Sequence, residues 1–263
     1  MSPALSVDPT LISLALTLAD AAGEVIRPLF RGDLQAEYKA ASSPIVTIAD
    51  REAERVMRGL IEQHYPDHNI FGEEFGVKTT GSRYTWVLDP VDGTIAFSTG
   101  KPLFGTLIAL LDGDHSVLGI IDQPILKERW LGVKGQLTLL NQQPIRAKSN
   151  PELSRAYLSC TTPELFEDPV HQAAFERVSQ AVHITSYGGD CYHYGLVAAG
   201  HLDLVVERQL ALYDFAALIP IIEGSGGLIT DWNGQPLTRQ SAGDIVAAGD
   251  PSLHQQVVQL LQG

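Results

Sequence analysis

One nine-residue stretch, Trp86-Val87-Leu88-Asp89-Pro90-Val91-Asp92-Gly93-Thr94, constrains what this chain can fold into more than any other. Trp86, Val87 and Leu88 form an apolar, β-favouring run, the mark of a buried strand. Asp89-Pro90 is expected to stop that strand, because proline has no N–H for the ladder and restricts the residue before it. Asp89 and Asp92 then sit where the strand gives out, a few residues apart and aimed into a common space.

Two carboxylates so close repel each other unless a proton or a cation sits between them. Hard divalent cations such as Mg2+ take oxygen ligands, and two carboxylates with the exposed carbonyl of Val91 suit one. Gly93 lets the backbone approach a ligand, and Thr94 adds a hydroxyl and an N–H. Asp, Pro and Gly are also the usual turn residues, so a plain strand-to-turn junction stands beside the metal reading at this point.

The 263 residues suffice for one large domain or two modest ones with ample core. A net charge of -13 argues against a nucleic-acid partner, whose phosphates demand a basic surface. It leaves room for an anionic substrate where bound cations reverse the local sign. The two cysteines, Cys160 and Cys191, have no paired spacing, and the histidines are scattered, so a metal site should be oxygen-based. Met1 to Pro9 lacks the pattern of a signal peptide, and no apolar stretch is expected to approach bilayer-spanning length. A cytoplasmic chain without a membrane partner is the expectation.

Asp8-Pro9 opens a helix whose buried face is Leu11, Leu14, Ala15, Leu18 and Ala22, ending near Gly32. Glu37 to Ile48 reads as extended pieces. Ala49 to Tyr65 is a second helix, with Val56, Leu60 and Ile61 buried and Pro66 beyond its end. Asp50 at its start is either a helix-start acid favoured by the dipole or the holder of a water near the site. Asn69 to Glu74 is a short strand running into Glu73-Glu74, whose side chains should point to opposite faces. Ile95 to Lys101 allows one or two helical turns. Phe104 to Leu111, Val117 to Ile121 and Arg129 to Val133 read as antiparallel strands, the gaps being too short for helical crossovers.

Near Asn150-Pro151 the pattern changes to alternation. Strands are expected over Ala156 to Ser159, Ile184 to Tyr187, Leu202 to Val206 and Ile245 to Ala248. Helices are expected over Val170 to Val182, Cys191 to Ala199, Asp214 to Gly224 and Pro251 to Leu261. One domain over 1–263 follows, with an N-terminal α+β part over 1–149 and a C-terminal α/β part over 150–263. Asp214 heads a helix that is nearly apolar all round, as a cap or as a ligand. Asp190 follows Gly188-Gly189 ahead of a helix, and Glu207 ends an apolar strand and must find a cation or a donor. A helix cap for the former and a buried salt bridge for the latter are the plain alternatives.

Gly-Glu-Glu at 72–74, Asp-Pro-Val-Asp-Gly-Thr at 89–94 and Tyr-Asp-Phe-Ala-Ala at 213–217 together resemble the inositol monophosphatase family of Mg2+-dependent phosphatases. Gly-Gly-Asp-Cys-Tyr-x-Tyr-Gly-Leu at 188–196, with the Ala-Ala-Gly-His-Leu-Asp-Leu-Val-Val-Glu that follows, looks most like its histidinol-phosphate phosphatases. The resemblance implies a layered αβαβα sandwich, a mostly antiparallel N-terminal sheet followed by an alternating α/β half. It implies two or three Mg2+ per site, a small phosphorylated substrate and a homodimer. Glu73 would be a metal ligand, Asp89 would bridge two metals, the Val91 carbonyl would ligate one, and Asp92 and Asp214 would hold the second. Asp50 and Thr94 would orient the attacking water, Gly93 and Thr94 would donate N–H groups to the phosphate, and Asp190 and Glu207 would face the rest of the substrate. Other substrates kept open are inositol phosphate, a sugar phosphate and a nucleotide 3′-phosphate. A regulatory binding protein on the same fold is the reading of another class.

Overall fold

Pro9–Leu29 (α1) begins as its sequence dictates: the Asp8 carboxylate accepts the Thr10 N–H at 2.8 Å, with proline at the first helical position. Leu11, Leu14, Ala15, Leu18 and Ala22 are buried along it, as expected. The computed structural model describes residues 7–32 and 47–263, so the extended pieces expected over 37–48 fall almost wholly outside the described residues. Contrary to the sequence expectation, α1 is by length and composition apolar enough to span a bilayer, yet it packs against the second helix and the first sheet as a core helix.

That second helix, Ile48–His64 (α2), buries Ala49, Ala53, Met57 and Ile61 at four-residue spacing. Val56 and Leu60, expected on the buried face, are only half-buried. The small side chains of Ala49 and Ala53 meet a core shared with Ala15, Ala19 and Ala22 of α1, and such a ridge allows two helices to lie close. Val56 and Leu60 are left at the flanks.

The first sheet holds Asn69–Gly72 (β1), Gly76–Lys78 (β2), Tyr84–Asp92 (β3), Gly105–Asp112 (β4), His115–Gln123 (β5), Glu128–Val133 (β6), Leu139–Leu140 (β7) and Gln143–Pro144 (β8). Their order is β2-β1-β3-β4-β5-β6-β7-β8, antiparallel throughout except for the parallel pair β1 and β3. Thr94–Ser98 (α3) follows β3.

Pro90 does not end its strand. β3 runs on to Asp92 through a register shift in which Asp89 opposes Leu107 and Asp92 opposes Gly105. Three steps on β3 therefore face two on β4, a bulge that absorbs the residue without an N–H. The Pro90 carbonyl is still used, accepting the Thr106 hydroxyl at 2.8 Å.

The second sheet holds Tyr157–Cys160 (β9), Ile184–Tyr187 (β10), Leu204–Glu207 (β11), Leu228–Asp231 (β12) and Ile245–Ala248 (β13), in the order β10-β9-β11-β13-β12. The alternating pattern is only half reflected in direction. β9 pairs parallel with β10 and β11, while β13 runs antiparallel to β11 and β12. Strand β12 is absent from the sequence expectation. The helices of this half are Pro169–Ala181 (α4), Asp190–Ala198 (α5), Leu212–Phe215 (α6), Leu218–Gly224 (α7) and Pro251–Gln262 (α8). The single helix expected over 214–224 is two, α6 and α7.

Side-chain alternation on the central strands sets the layers. Trp86 and Leu88 face α1 and α2, while Val87 shares a core with α5, α6, α7 and one face of the second sheet. Leu158, Leu204, Val206 and Val246 on that sheet's other face pack with α4 and α8. The expected αβαβα sandwich is the observed fold, with the middle helical layer carrying α5 and α6 against the end of β3.

Candidate active site

The end of β3, the turn after β1, the starts of α5 and α6 and the end of β11 meet at one cleft of about 230 Å³. Glu73, Asp89, Val91, Asp92, Gly93, Thr94, Asp190, Glu207 and Asp214 all line it. Asp50 does not.

Carboxylate oxygens of Asp89, Asp92 and Asp214 lie within 4.8 Å of one another. Each is aimed by a backbone N–H. Asp89 Oδ1 accepts from Val91 at 3.1 Å, Asp92 Oδ2 from Cys191 at 2.6 Å and Asp214 Oδ2 from Ala211 at 2.7 Å. Asp214 thus stands at the third position of α6 and reaches back to the residue before the helix, instead of capping it directly. The Val91 carbonyl accepts the Thr94 hydroxyl at 3.1 Å.

Glu73 lies in the turn between β1 and β2, so the strand alternation expected for Glu73 and Glu74 does not apply. Its N–H extends the sheet by donating to the Leu88 carbonyl at 3.2 Å. Burial, then the charge of Glu73, pushes Asp89 well above the usual carboxylate range. Burial, with Asp214 next, pushes Asp92 up to about 8, and burial raises Asp214 to about 7. Three carboxylates this close together, Asp89 buried and Asp92 and Asp214 half-buried, fit a hard divalent cation such as Mg2+.

Asp50 is the third residue of α2, where its carboxylate accepts the N–H of Thr47 at 2.8 Å and its hydroxyl at 2.5 Å. This is a capping box with Thr47 as the N-cap, so of the plain alternatives for Asp50, an N-cap or a first-turn acid, the second is the observed one. Burial raises Asp50 to about 6, and its charge also acts on Asp89.

Gly188, Gly189 and Asp190 all have positive φ, 81°, 148° and 46°, so the chain turns into α5 through a conformation that glycine adopts at no steric cost. Gly93, at φ 89°, is needed for a second reason: a Cβ there would lie 3.0 Å from Asp190 Oδ2 and 3.1 Å from the Leu103 carbonyl oxygen. Burial, then the charges of Asp92 and Glu207, raises Asp190 to about 8.

Glu207 has no salt bridge among the described residues. Its carboxylate takes neutral donors instead, the N–H of Thr161 at 2.9 Å, the Thr161 hydroxyl and the Tyr194 hydroxyl at 2.9 Å. Three hydrogen bonds satisfy a buried carboxylate without a cation. Arg208, next in sequence, pairs with Asp168 and Asp244. Thr161, Tyr194, Arg208, Gln209 and Tyr213 also line the cleft, none of them picked out as site residues from the sequence. Tyr194 had a readable signal, standing one helical turn after Asp190. Thr161 had none.

The model of the inositol monophosphatase family matches residues 8–263. The chain is 50% identical over 254 residues to the bifunctional phosphatase IMPL2, chloroplastic, of Arabidopsis thaliana, covering 93% of this chain and 73% of that protein. It is 35% identical over 225 residues to a histidinol-phosphatase of Chlorobaculum parvum, covering 85% and 86% of the two. A solved inositol monophosphatase of Zymomonas mobilis superposes with a TM-score of 0.88 at 47% identity, over 97% of this chain and 98% of that one.

Proposed function

This chain belongs to the inositol monophosphatase family of phosphatases, and we propose that its substrate is L-histidinol phosphate, hydrolysed to L-histidinol and inorganic phosphate. Asp89, Asp92, Asp214, Glu73 and the Val91 carbonyl would hold two or three Mg2+. When bound, Mg2+ supplies an activated water, neutralises the phosphoryl oxygens and stabilises the leaving alkoxide. Thr94, whose hydroxyl proton is committed to Val91, offers its lone pairs to orient that water. The N–H groups of Gly93 and Thr94 are assigned to the phosphate. Asp50, off the cleft and bound to Thr47, acts on the water only through the charge it places near Asp89.

The observation that carries the substrate is the surplus of acid. Glu73, Asp89, Asp92, Asp190, Glu207 and Asp214 line one cleft, six carboxyls in all. Two Mg2+ carry four positive charges and a phosphate monoester about two negative ones. The balance stays negative, and a tail bearing an ammonium group complements it. A charge-assisted hydrogen bond from that ammonium to Asp190 or Glu207 contributes roughly 1.5–3 kcal/mol. A second reading, a polyol monoester such as inositol phosphate, draws support from the same carboxylates, which also accept hydroxyl hydrogen bonds.

A phosphate-release screen with and without Mg2+ separates the two. Histidinol phosphate is expected to show the higher kcat/KM by about tenfold or more. The reverse order would replace the first reading by the second. The same reading has the protein as a cytoplasmic homodimer, for which sedimentation should return twice the chain mass.

A further inference from the structure

Glu54 is completely buried on the face of α2 that is otherwise Ala49, Ala53, Met57 and Ile61, one turn beyond Asp50. None of the roles above uses it. A buried carboxylate is costly unless it is fully hydrogen-bonded, and its partners therefore say what it is for. Glu54 Oε2 accepts the N–H of Glu74 at 2.7 Å, and Oε1 accepts the N–H of Phe75 at 3.2 Å and Arg58 Nε at 2.7 Å. Arg58, one turn further along the helix, also donates to the Gly76 carbonyl. One ion pair on α2 therefore grips Glu74 and Phe75 of the turn that joins β1 to β2 and Gly76, the first residue of β2.

The residue just before those three is Glu73. Its own N–H is held from the other side by the Leu88 carbonyl, one residue before Asp89. Gly72 completes the fit: a Cβ there would stand 2.0 Å from Glu54 Oε1 and 2.8 Å from the Arg58 guanidinium, so the strand can pass this close to the ion pair only without a side chain. The charge of Glu73 acts on both Asp89 and Asp214, so its carboxylate stands close to theirs before any cation is bound.

We propose that Glu54 is a positioning residue for the metal site, clamping the 74–76 turn so that Glu73 is held beside Asp89 and Asp214 in advance of the cation. The proposal rests on the reading of Glu73 as a ligand. Its signature is a split between affinity and turnover. Loss of the clamp weakens Mg2+ binding, while an enzyme that has been forced to fill with Mg2+ hydrolyses its substrate nearly as before.

The test is a calorimetric titration of the full chain with MgCl2 in the absence of substrate, beside phosphate release as a function of Mg2+ concentration. Glu54→Gln keeps the shape but turns an amide NH2 toward an N–H or the guanidinium. The Mg2+ Kd is expected to rise about tenfold, the scale typical of outer partners of metal ligands, with kcat at saturating Mg2+ within about threefold of the parent. Arg58→Lys, at a partly exposed position, keeps the charge and loses the fork, so a smaller rise in the same direction is expected. It decides the matter should Glu54→Gln fail to fold. Glu73→Gln serves as the reference. If Glu73→Gln loses Mg2+ affinity while the Glu54 and Arg58 variants bind as the parent does, the positioning role is overturned. If Glu73→Gln itself binds Mg2+ like the parent, the ligand reading falls and the proposal falls with it.

Discussion

The backbone N–H of Cys191 donates to the Asp92 carboxylate at 2.6 Å, joining residues 99 apart in the chain. Asp92 ends β3 in the first sheet, and Cys191 is the second residue of α5, in the helical layer between the sheets. The bond therefore locks the Gly188–Asp190 turn against the acid cluster and places Asp190 beside Gly93. On the proposed reading, one hydrogen bond sets the relative placement of an acid that would bind cations, Asp92, and an acid that would face the substrate tail, Asp190.

Asp89→Asn should abolish turnover while the fold persists. The amide oxygen keeps the bond from the Val91 N–H and loses the charge that would hold the cations. A loss of several kcal/mol of transition-state stabilisation corresponds to a fall in kcat of about a thousandfold. Retention of more than about a tenth of kcat would contradict the bridging role. In the absence of Mg2+, thermal unfolding should find the variant at least as stable as the parent, since carboxylate repulsion is relieved.

Thr94→Ala should slow hydrolysis more than it weakens binding. Removing the hydroxyl frees the Val91 carbonyl of its partner and would deprive the attacking water of the group proposed to orient it, a loss felt mainly in the transition state. A change in KM with kcat intact would reassign Thr94 to phosphate binding.

Asp190→Asn should lower kcat/KM for histidinol phosphate by about tenfold or more, leaving a neutral-tailed monoester unaffected or improved. The two substrates share a phosphate and differ only at the end that a carboxylate beside Glu207 would meet. Equal losses on both would make Asp190 a structural residue of the turn into α5.

Stability without metal should decline as pH rises. Asp92 and Asp190 titrate at about 8 and Asp214 at about 7 in the folded chain, against about 3.9 for an unfolded Asp. The folded state therefore holds extra protons. Their stabilising contribution is complete below the unfolded value and is lost as pH rises through the folded ones. Mg2+ replaces those protons, so the rise in Tm that it causes should grow from about pH 6 to about pH 9. Thermal scans in chelator and in saturating Mg2+ measure it, and a constant or shrinking gain would contradict the cluster's role as a cation site.

Much of the molecule is legible in its sequence because the causes are local. The face of α1, the strands β4 to β6, the carboxylates at the end of β3 and the glycines ahead of α5 follow from period, turn chemistry and sterics over a few residues. Pro90 shows where that reasoning ends. Its effect on β3 depends on whether β4 can bulge around it, and Leu107 and Gly105 decide that. Glu207 shows the same: its need for partners was readable, but their identity, Thr161 and Tyr194, depends on which strand and helix pack beside β11. Glu54 carries no local signal of its role, because the N–H groups that it accepts, those of Glu74 and Phe75, belong to a turn twenty residues further along the chain. Local causes in the chain thus account for most of the elements and for the chemical type of each acid. Only the stacking of two sheets around a shared helical layer decided which acids meet, because hydrogen bonds and charge repulsion act over a few ångströms in space and take no account of separation along the chain.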